Sequence, residues 1–157
     1  MVCLLIGAGG HAKAVAEAAV ATLGGISVYV DPSPANWLTA VHVTADSEIK
    51  ANGMPVVIGV GGVTAAQLTK RLALLDAYLH RGHRAPAIVH PRAHVSPLAR
   101  LDSGAIVLAG AVVQPGAAVG RGAIINTRAV VEHDSIVGDG AHVAPGAIVL
   151  GGCRVGR

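Results

Sequence analysis

Residues 89–155 read, in blocks of six, VHPRAH VSPLAR LDSGAI VLAGAV VQPGAA VGRGAI INTRAV VEHDSI VGDGAH VAPGAI VLGGCR V. Every block opens on an aliphatic residue: Val89, Val95, Leu101, Val107, Val113, Val119, Ile125, Val131, Val137, Val143, Val149 and Val155. Four places after each of the first eleven stands a small residue: Ala93, Ala99, Ala105, Ala111, Ala117, Ala123, Ala129, Ser135, Ala141, Ala147 and Cys153. A helix repeats every 3.6 residues and a half-buried strand every two, so neither explains a period of six. A parallel β-helix does: one short strand and its corner use one block, and three blocks close a triangular coil. The aliphatic residue fills the interior and the small one lets the chain turn beside it. These blocks supply just under four coils, which favours self-association. They stop at Val155-Gly156-Arg157 without anything resembling a solenoid cap. That predicts a C-terminally shortened chain, or one capped by association.

Composition agrees with thin, regular layers. Aromatic residues are 2% of the 157 and Phe is absent, so Val, Ile, Leu and Ala must fill the core, while 21 glycines and 8 prolines supply corners. A formal charge of +3 suits anionic small molecules. With no basic run and no aromatic platform, a nucleic-acid partner is not expected. No apolar run reaches the roughly 18 residues of a membrane span, and the N-terminus lacks a basic leader, so the chain reads as soluble and cytoplasmic. Cys3 and Cys153 lie far apart and read as reduced thiols. His90 and His94 straddle a β corner, so no metal is expected there.

Before the repeat, short apolar runs alternate with helical patterns. Strands are predicted at Val2–Ile6, Ile26–Val30 and Val56–Val60, with helices over His11–Leu23 and Thr64–His80. A short strand is read at Val41–Thr44 inside the loop Pro32–Gly53, and a last one at Ala87–Val89. This alternation implies a small parallel sheet with helices on both faces. The chain thus divides at residues 1–86 and 87–157. Gly7-Ala8-Gly9-Gly10-His11-Ala12 joins the first strand to the first helix, and Asp31 ends the second strand. Glycines there let the backbone approach an anion at the positive end of a helix, which points to a nucleotide. The competing reading is a tight turn without a ligand. Gly61-Gly62, after the third strand, lies on the same sheet edge.

Residues eighteen apart stack one coil above another at about the 4.8 Å inter-strand spacing. His133 therefore shares a column with Pro97, Pro115 and Gly151. Its block is the only one with three consecutive ionisable residues, Glu132-His133-Asp134. An imidazole titrates near neutrality, and a neighbouring carboxylate can fix its tautomer. Gly151 offers an approachable N–H one coil above, as acyl transfer needs for a forming oxyanion. The competing reading makes His133 a solvated corner residue, and His142 and Asn126 have equally plain readings as surface and corner residues.

Taken together, Leu-Ile-Gly-Ala-Gly-Gly-His-Ala at 5–12, His90-Pro91 opening the repeat, Asn126-Thr127 and Val131-Glu132-His133-Asp134 resemble one family. It is the bacterial sugar acetyltransferases of the hexapeptide-repeat kind, which include sialic acid O-acetyltransferases and the N-acetyltransferases of nucleotide-linked 4-amino sugars. The resemblance implies a small Rossmann-like α/β domain followed by a left-handed parallel β-helix, assembled as a homotrimer. It implies acetyl-CoA as co-substrate between neighbouring helices, a nucleotide sugar as acceptor, and no metal. His133 would be the general base and Asp134 its partner. Asn126 would assist, His142 would contact substrate or acetyl-CoA, and the Gly151 N–H would face the thioester oxygen. Gly9, Gly10, His11, Asp31 and Gly61 would bind the nucleotide sugar. The sequence departs from the family pattern at Pro32, where some members carry a second acid, and at Gly61-Gly62, where a glycine–asparagine pair is usual. Family members also continue for further coils. The expected reaction is acetyl transfer from acetyl-CoA to the sugar amine. The alternatives are sugar O-acetylation, a non-catalytic trimeric nucleotide-binding scaffold, and a nicotinamide-dependent oxidoreductase resting on the glycine turn alone.

Overall fold

The computed structural model describes residues 2–50 and 53–156. Four parallel strands form the front sheet: β1 (Cys3–Ile6), β2 (Ile26–Val30), β3 (Val41–Val43) and β4 (Val56–Ile58), in the order β3-β2-β1-β4. Side chains of a strand alternate between its faces. Cys3, Leu5 and Val57 accordingly pack with Ala12, Val15 and Ala19 of α1 (Gly10–Leu23). Leu4, Ile6, Val56 and Ile58 pack on the other face with Leu72 and Leu75 of α2 (Ala65–His80). Thr64 caps α2 rather than belonging to it: its hydroxyl accepts from the Gln67 N–H, and the Gln67 side chain accepts from the Thr64 N–H. That reciprocal pairing satisfies helix-end donors that have no partner within the helix.

From Ile88 onward the chain winds through twelve two-residue strands, arranged as three four-stranded parallel sheets. One holds β5 (Ile88–Val89), β8 (Ile106–Val107), β11 (Ile124–Ile125) and β14 (His142–Val143). The second holds β6 (His94–Val95), β9 (Val112–Val113), β12 (Val130–Val131) and β15 (Ile148–Val149). The third holds β7 (Arg100–Leu101), β10 (Ala118–Val119), β13 (Ile136–Val137) and β16 (Arg154–Val155). Partners lie eighteen residues apart throughout, as in Val89↔Val107 and Ile125↔Val143. The aliphatic residue that opens each block is the second residue of its strand and points inward; Val107, Val113, Val119, Ile125 and Val131 are wholly buried. The short strand expected at Ala87–Val89 is observed at Ile88–Val89, where it pairs with β8 of the coil and adds nothing to the front sheet. Its Val89 already belongs to the six-residue register.

The outward residues of the first coil sheet, Ile88, Ile106 and Ile124, are buried too. Ile88 and Ile106 join the core beneath α1. Helix α2 lies along a corner column of the coil, where Gly104, Gly122 and Gly140 hold positive φ angles of 61° to 69°. A Cβ on Gly104 or Gly122 would come within 2.8 or 3.0 Å of the Leu75 side chain, and one on Gly140 within 3.2 Å of Leu72. Glycine is therefore demanded at these corners twice, by backbone conformation and by the helix resting on them. No described helix is long and apolar enough to cross a membrane.

Candidate active site

The first group of polar residues stands on the corner between β12 and β13. His133 Nδ1 lies 3.0 Å from Asp134 Oδ2. A carboxylate only accepts, so Nδ1 carries the hydrogen and Nε2 keeps the lone pair. The bond to Asp134, then its charge, and more weakly that of Glu132, raise the His133 pKa above the ordinary imidazole value of 6.5. Both side chains are exposed, which leaves Nε2 accessible. Asp134 has φ 59°, the left-handed conformation that Asp tolerates better than most residues and that Gly occupies at the neighbouring corners. That conformation brings its carboxylate over Gly116, where a Cβ would sit 2.3 Å from Oδ1.

Gly151 lies over the ring. A Cβ there would meet His133 Nε2 at 2.7 Å, so the missing side chain makes room for the imidazole itself. No hydrogen bond from the Gly151 N–H is found among the described residues, whereas the next amide, of Gly152, donates to the His133 carbonyl. The column thus brings together a lone pair and a free donor, as its spacing suggests.

The second group sits where the coil meets the front sheet. Asn126 Oδ1 accepts from the Thr127 N–H at 2.8 Å, which turns its amide nitrogen toward His142 Nε2, 2.9 Å away. His142 Nδ1 lies 2.9 Å from the Gly62 carbonyl. A carbonyl must accept and an amide nitrogen must donate, so His142 is held as the Nδ1–H tautomer with both nitrogens engaged by protein groups. Gly61 carries no side chain where His11 packs: a Cβ would meet the His11 Cβ at 2.9 Å. Burial, then the charge of Arg71, push the His11 pKa down to about 4, and its Nε2 is buried without a partner among the described residues. No hydrogen bond among the described residues links this group to His133.

The glycine turn opens onto a cavity of about 370 Å³ whose lining includes Gly9, Gly10, Lys13, Asp31, Ser33 and Trp37. Nothing lies within 4 Å of where a Cβ of Gly9 or Gly10 would be, and α1 begins here without a side-chain cap. Uncapped first-turn N–H groups with an adjacent lysine suit an anionic ligand. Asp31 stitches the site together, its two oxygens accepting from the Ala8 and Ser33 N–H groups at 2.8 and 3.0 Å. Each oxygen retains a lone pair for a ligand hydroxyl.

Sequence reasoning missed three contributors. Lys13 and Trp37 line the cavity, and Trp37 Nε1 donates to the Ala8 carbonyl at 3.0 Å. The third is Arg71, only 1% exposed. Its signal was present, as a charge at helical spacing on the apolar face formed by Leu68, Leu72 and Leu75. His90 and His94 are not brought together: His90 is buried, with Nε2 3.3 Å from Glu17, and His94 is exposed. Among the described residues there is no group of three potential metal ligands.

No protein-family model and no curated protein matches the chain. Solved structures do. The acetyltransferase domain of PglB from Neisseria gonorrhoeae FA1090, in complex with acetyl coenzyme A, superposes with a TM-score of 0.86 at 32% identity, over 98% of this chain and 75% of that one. A histidine mutant of perosamine N-acetyltransferase from Caulobacter crescentus, in complex with CoA and GDP-perosamine, gives a TM-score of 0.84 at 30% identity, over 98% and 72%. WeeI from Acinetobacter baumannii AYE, at 15% identity and a TM-score of 0.52, shares the fold.

Proposed function

Because this chain belongs to the bacterial sugar acetyltransferases of the hexapeptide-repeat kind, we propose that it moves acetyl from acetyl-CoA to the amino group of a nucleotide-linked 4-amino-deoxysugar, with His133 as general base. The protein is an acetyl-CoA-dependent acetyltransferase. The observation that carries the finer reading is the His133–Asp134 pair, whose Nε2 faces Gly151 one coil above. The sugar amine attacks the thioester carbonyl and forms the C–N bond. The Gly151 N–H donates to the oxyanion, His133 Nε2 takes the amine proton, and the C–S bond breaks. The proton then passes to the departing thiolate, so CoA leaves as the thiol. No acyl-enzyme is required.

In this reading residues 1–86 form a Rossmann-like acceptor domain and residues 87–157 a left-handed coil. The parallel order β3-β2-β1-β4 and the glycine turn after β1 support the former. Gly9, Gly10, His11, Asp31 and Gly61 bind the nucleotide sugar, Asn126 assists in the active site, and His142 contacts substrate or acetyl-CoA. The protein works as a homotrimer. In support, the outer face of the second coil sheet is apolar from Val112 and Val130 to the exposed Ile148, and Leu98 and Leu150 flank it. A reducing, cytoplasmic setting accords with the free thiols of Cys3 and Cys153.

Release of CoA thiol, measured with acetyl-CoA and GDP- or UDP-linked 4-amino sugars, tests the assignment. Release that depends on the amino sugar is expected. Release with sialic acid alone would move the activity to oxygen. Bound acetyl-CoA with no turnover on any acceptor would leave a binding scaffold.

A further inference from the structure

Arg71 is a charged side chain placed where α2 meets both the front sheet and the coil. Its Nε donates to the Val60 carbonyl at 2.9 Å and its Nη1 to the Gly122 carbonyl, while Nη2 has no partner among the described residues. Joining a helix to two surfaces does not require a charge. Leu72 and Leu75 already do so by apolar contact with the glycine corners. A buried guanidinium with an unpaired donor is costly beside well-packed apolar residues. What it provides is directional: a rigid fork that holds two carbonyls, one from each half of the chain, at a set separation.

The first of those carbonyls belongs to the segment that ends at Gly62. The Gly62 carbonyl accepts from His142 Nδ1, and His142 Nε2 accepts from the Asn126 amide. Gly61, between them, packs against His11. We infer that Arg71 is a positioning residue, which clamps the Val60–Gly62 segment to the coil and thereby holds His142 as its Nδ1–H tautomer, with Nε2 presented to the Asn126 amide. The inference deepens the acetyl-transfer reading, because His142 and Asn126 are the coil residues that face the acceptor domain there. It assigns Arg71 no contact with substrate. Burial, and after it the Arg71 charge, hold down the pKa of the neighbouring His11.

The experiment compares the intact protein with Arg71→Gln and Arg71→Lys. Ring ¹⁵N signals of His142, identified by their loss in His142→Gln, report the tautomer directly. CoA release with the best amino-sugar acceptor reports function. In the parent protein His142 should show the Nδ1–H pattern. In Arg71→Gln its two ring nitrogens should average toward mixed tautomers, and kcat should fall roughly tenfold with little change in the KM for acetyl-CoA, as loss of orientation rather than binding predicts. Arg71→Lys keeps the charge but not the fork, and should fall between. If Arg71→Gln does not fold, Arg71→Lys is read by the same signals. Unchanged His142 signals in the folded variants, an Nε2–H pattern in the parent, or unfolding of both variants would make Arg71 a packing residue and overturn the inference. The tautomer is measured without substrate. A parent protein that turns over no amino sugar would therefore sink the acetyl-transfer reading and leave this test standing.

Discussion

Val107 in the coil and Ile6 in the front sheet are both buried, by different means. Val107 is covered by Val89 and Ile125, its counterparts one coil below and above, so its environment is fixed by a repeat that any neighbouring block also obeys. Ile6 packs with Leu72 and Leu75 of α2 and Val30 of β2, elements far from it in the chain and set at no repeating distance. Burial in the coil is thus periodic and local in pattern, whereas in the front sheet it depends on how the chain returns to itself. The two parts also carry their chemistry differently. In the coil a polar block stands out because the repeat makes it an exception, and in the front sheet polar residues sit in loops that vary freely.

The sharpest way to press this contrast is to remove the coil's exception. His133→Ala should lower CoA release by about 10²- to 10⁴-fold, the range for loss of a general base. Its urea midpoint should stay unchanged, because the exposed ring supports no core contact. Turnover within a few-fold of the parent would remove His133 from the mechanism.

A second comparison separates the repeat from the joint. Gly122 and Gly146 occupy equivalent left-handed corners, with φ of 61° and 70°. Around Gly146 there is open space, but a Cβ on Gly122 would lie 3.0 Å from Leu75 and 3.4 Å from Arg71. Gly146→Ala should cost only backbone strain, about 1–2 kcal/mol. Gly122→Ala adds overpacking at the helix and should cost roughly 2–5 kcal/mol. Equal losses in urea titrations would show that α2 does not lean on the corner column.

The smallest expected effect concerns pH. Asp134 raises the His133 pKa, and in the proposed mechanism His133 acts unprotonated, so the acidic limb of the rate profile should lie above the ordinary imidazole value of 6.5. Asp134→Asn keeps a side chain that tolerates the left-handed corner while removing the charge. Its limb should therefore move to lower pH. Its plateau should fall by roughly tenfold, less than where a buried carboxylate orients a catalytic histidine. An unmoved limb would mean that some other group sets it.

How much of this was legible follows from the same contrast. The twelve aliphatic positions mark every strand of the coil, and the eighteen-residue column places Gly151 over His133. The front helices and most of the strands were readable from apolar spacing and from the Gly7–Ala12 turn. A short strand at Ala87–Val89 is legible, but the apolar run does not say which sheet it enters. Only the register of Val89 assigns it. Arg71 was passed over because a helical pattern marks which face is buried without saying what lies against it. The glycine turn and Asp31, read from the sequence as one candidate site, do line one cavity, but nothing in the sequence places Trp37 there: it lies in a loop without periodicity, and its contact with Ala8 depends on the loop's path.

The amino-acid sequence by itself determined the coil, its stacking columns, and the one block with three consecutive ionisable residues, which carries His133 and Asp134. Each follows from a period that repeats within a few residues. Tertiary structure alone decided how the front sheet is fastened to that coil. It also decided that His142 is held by Gly62 and Asn126, and that Arg71 lies buried between the two halves. Those contacts join segments of unrelated pattern, and no spacing in the chain announces that they meet.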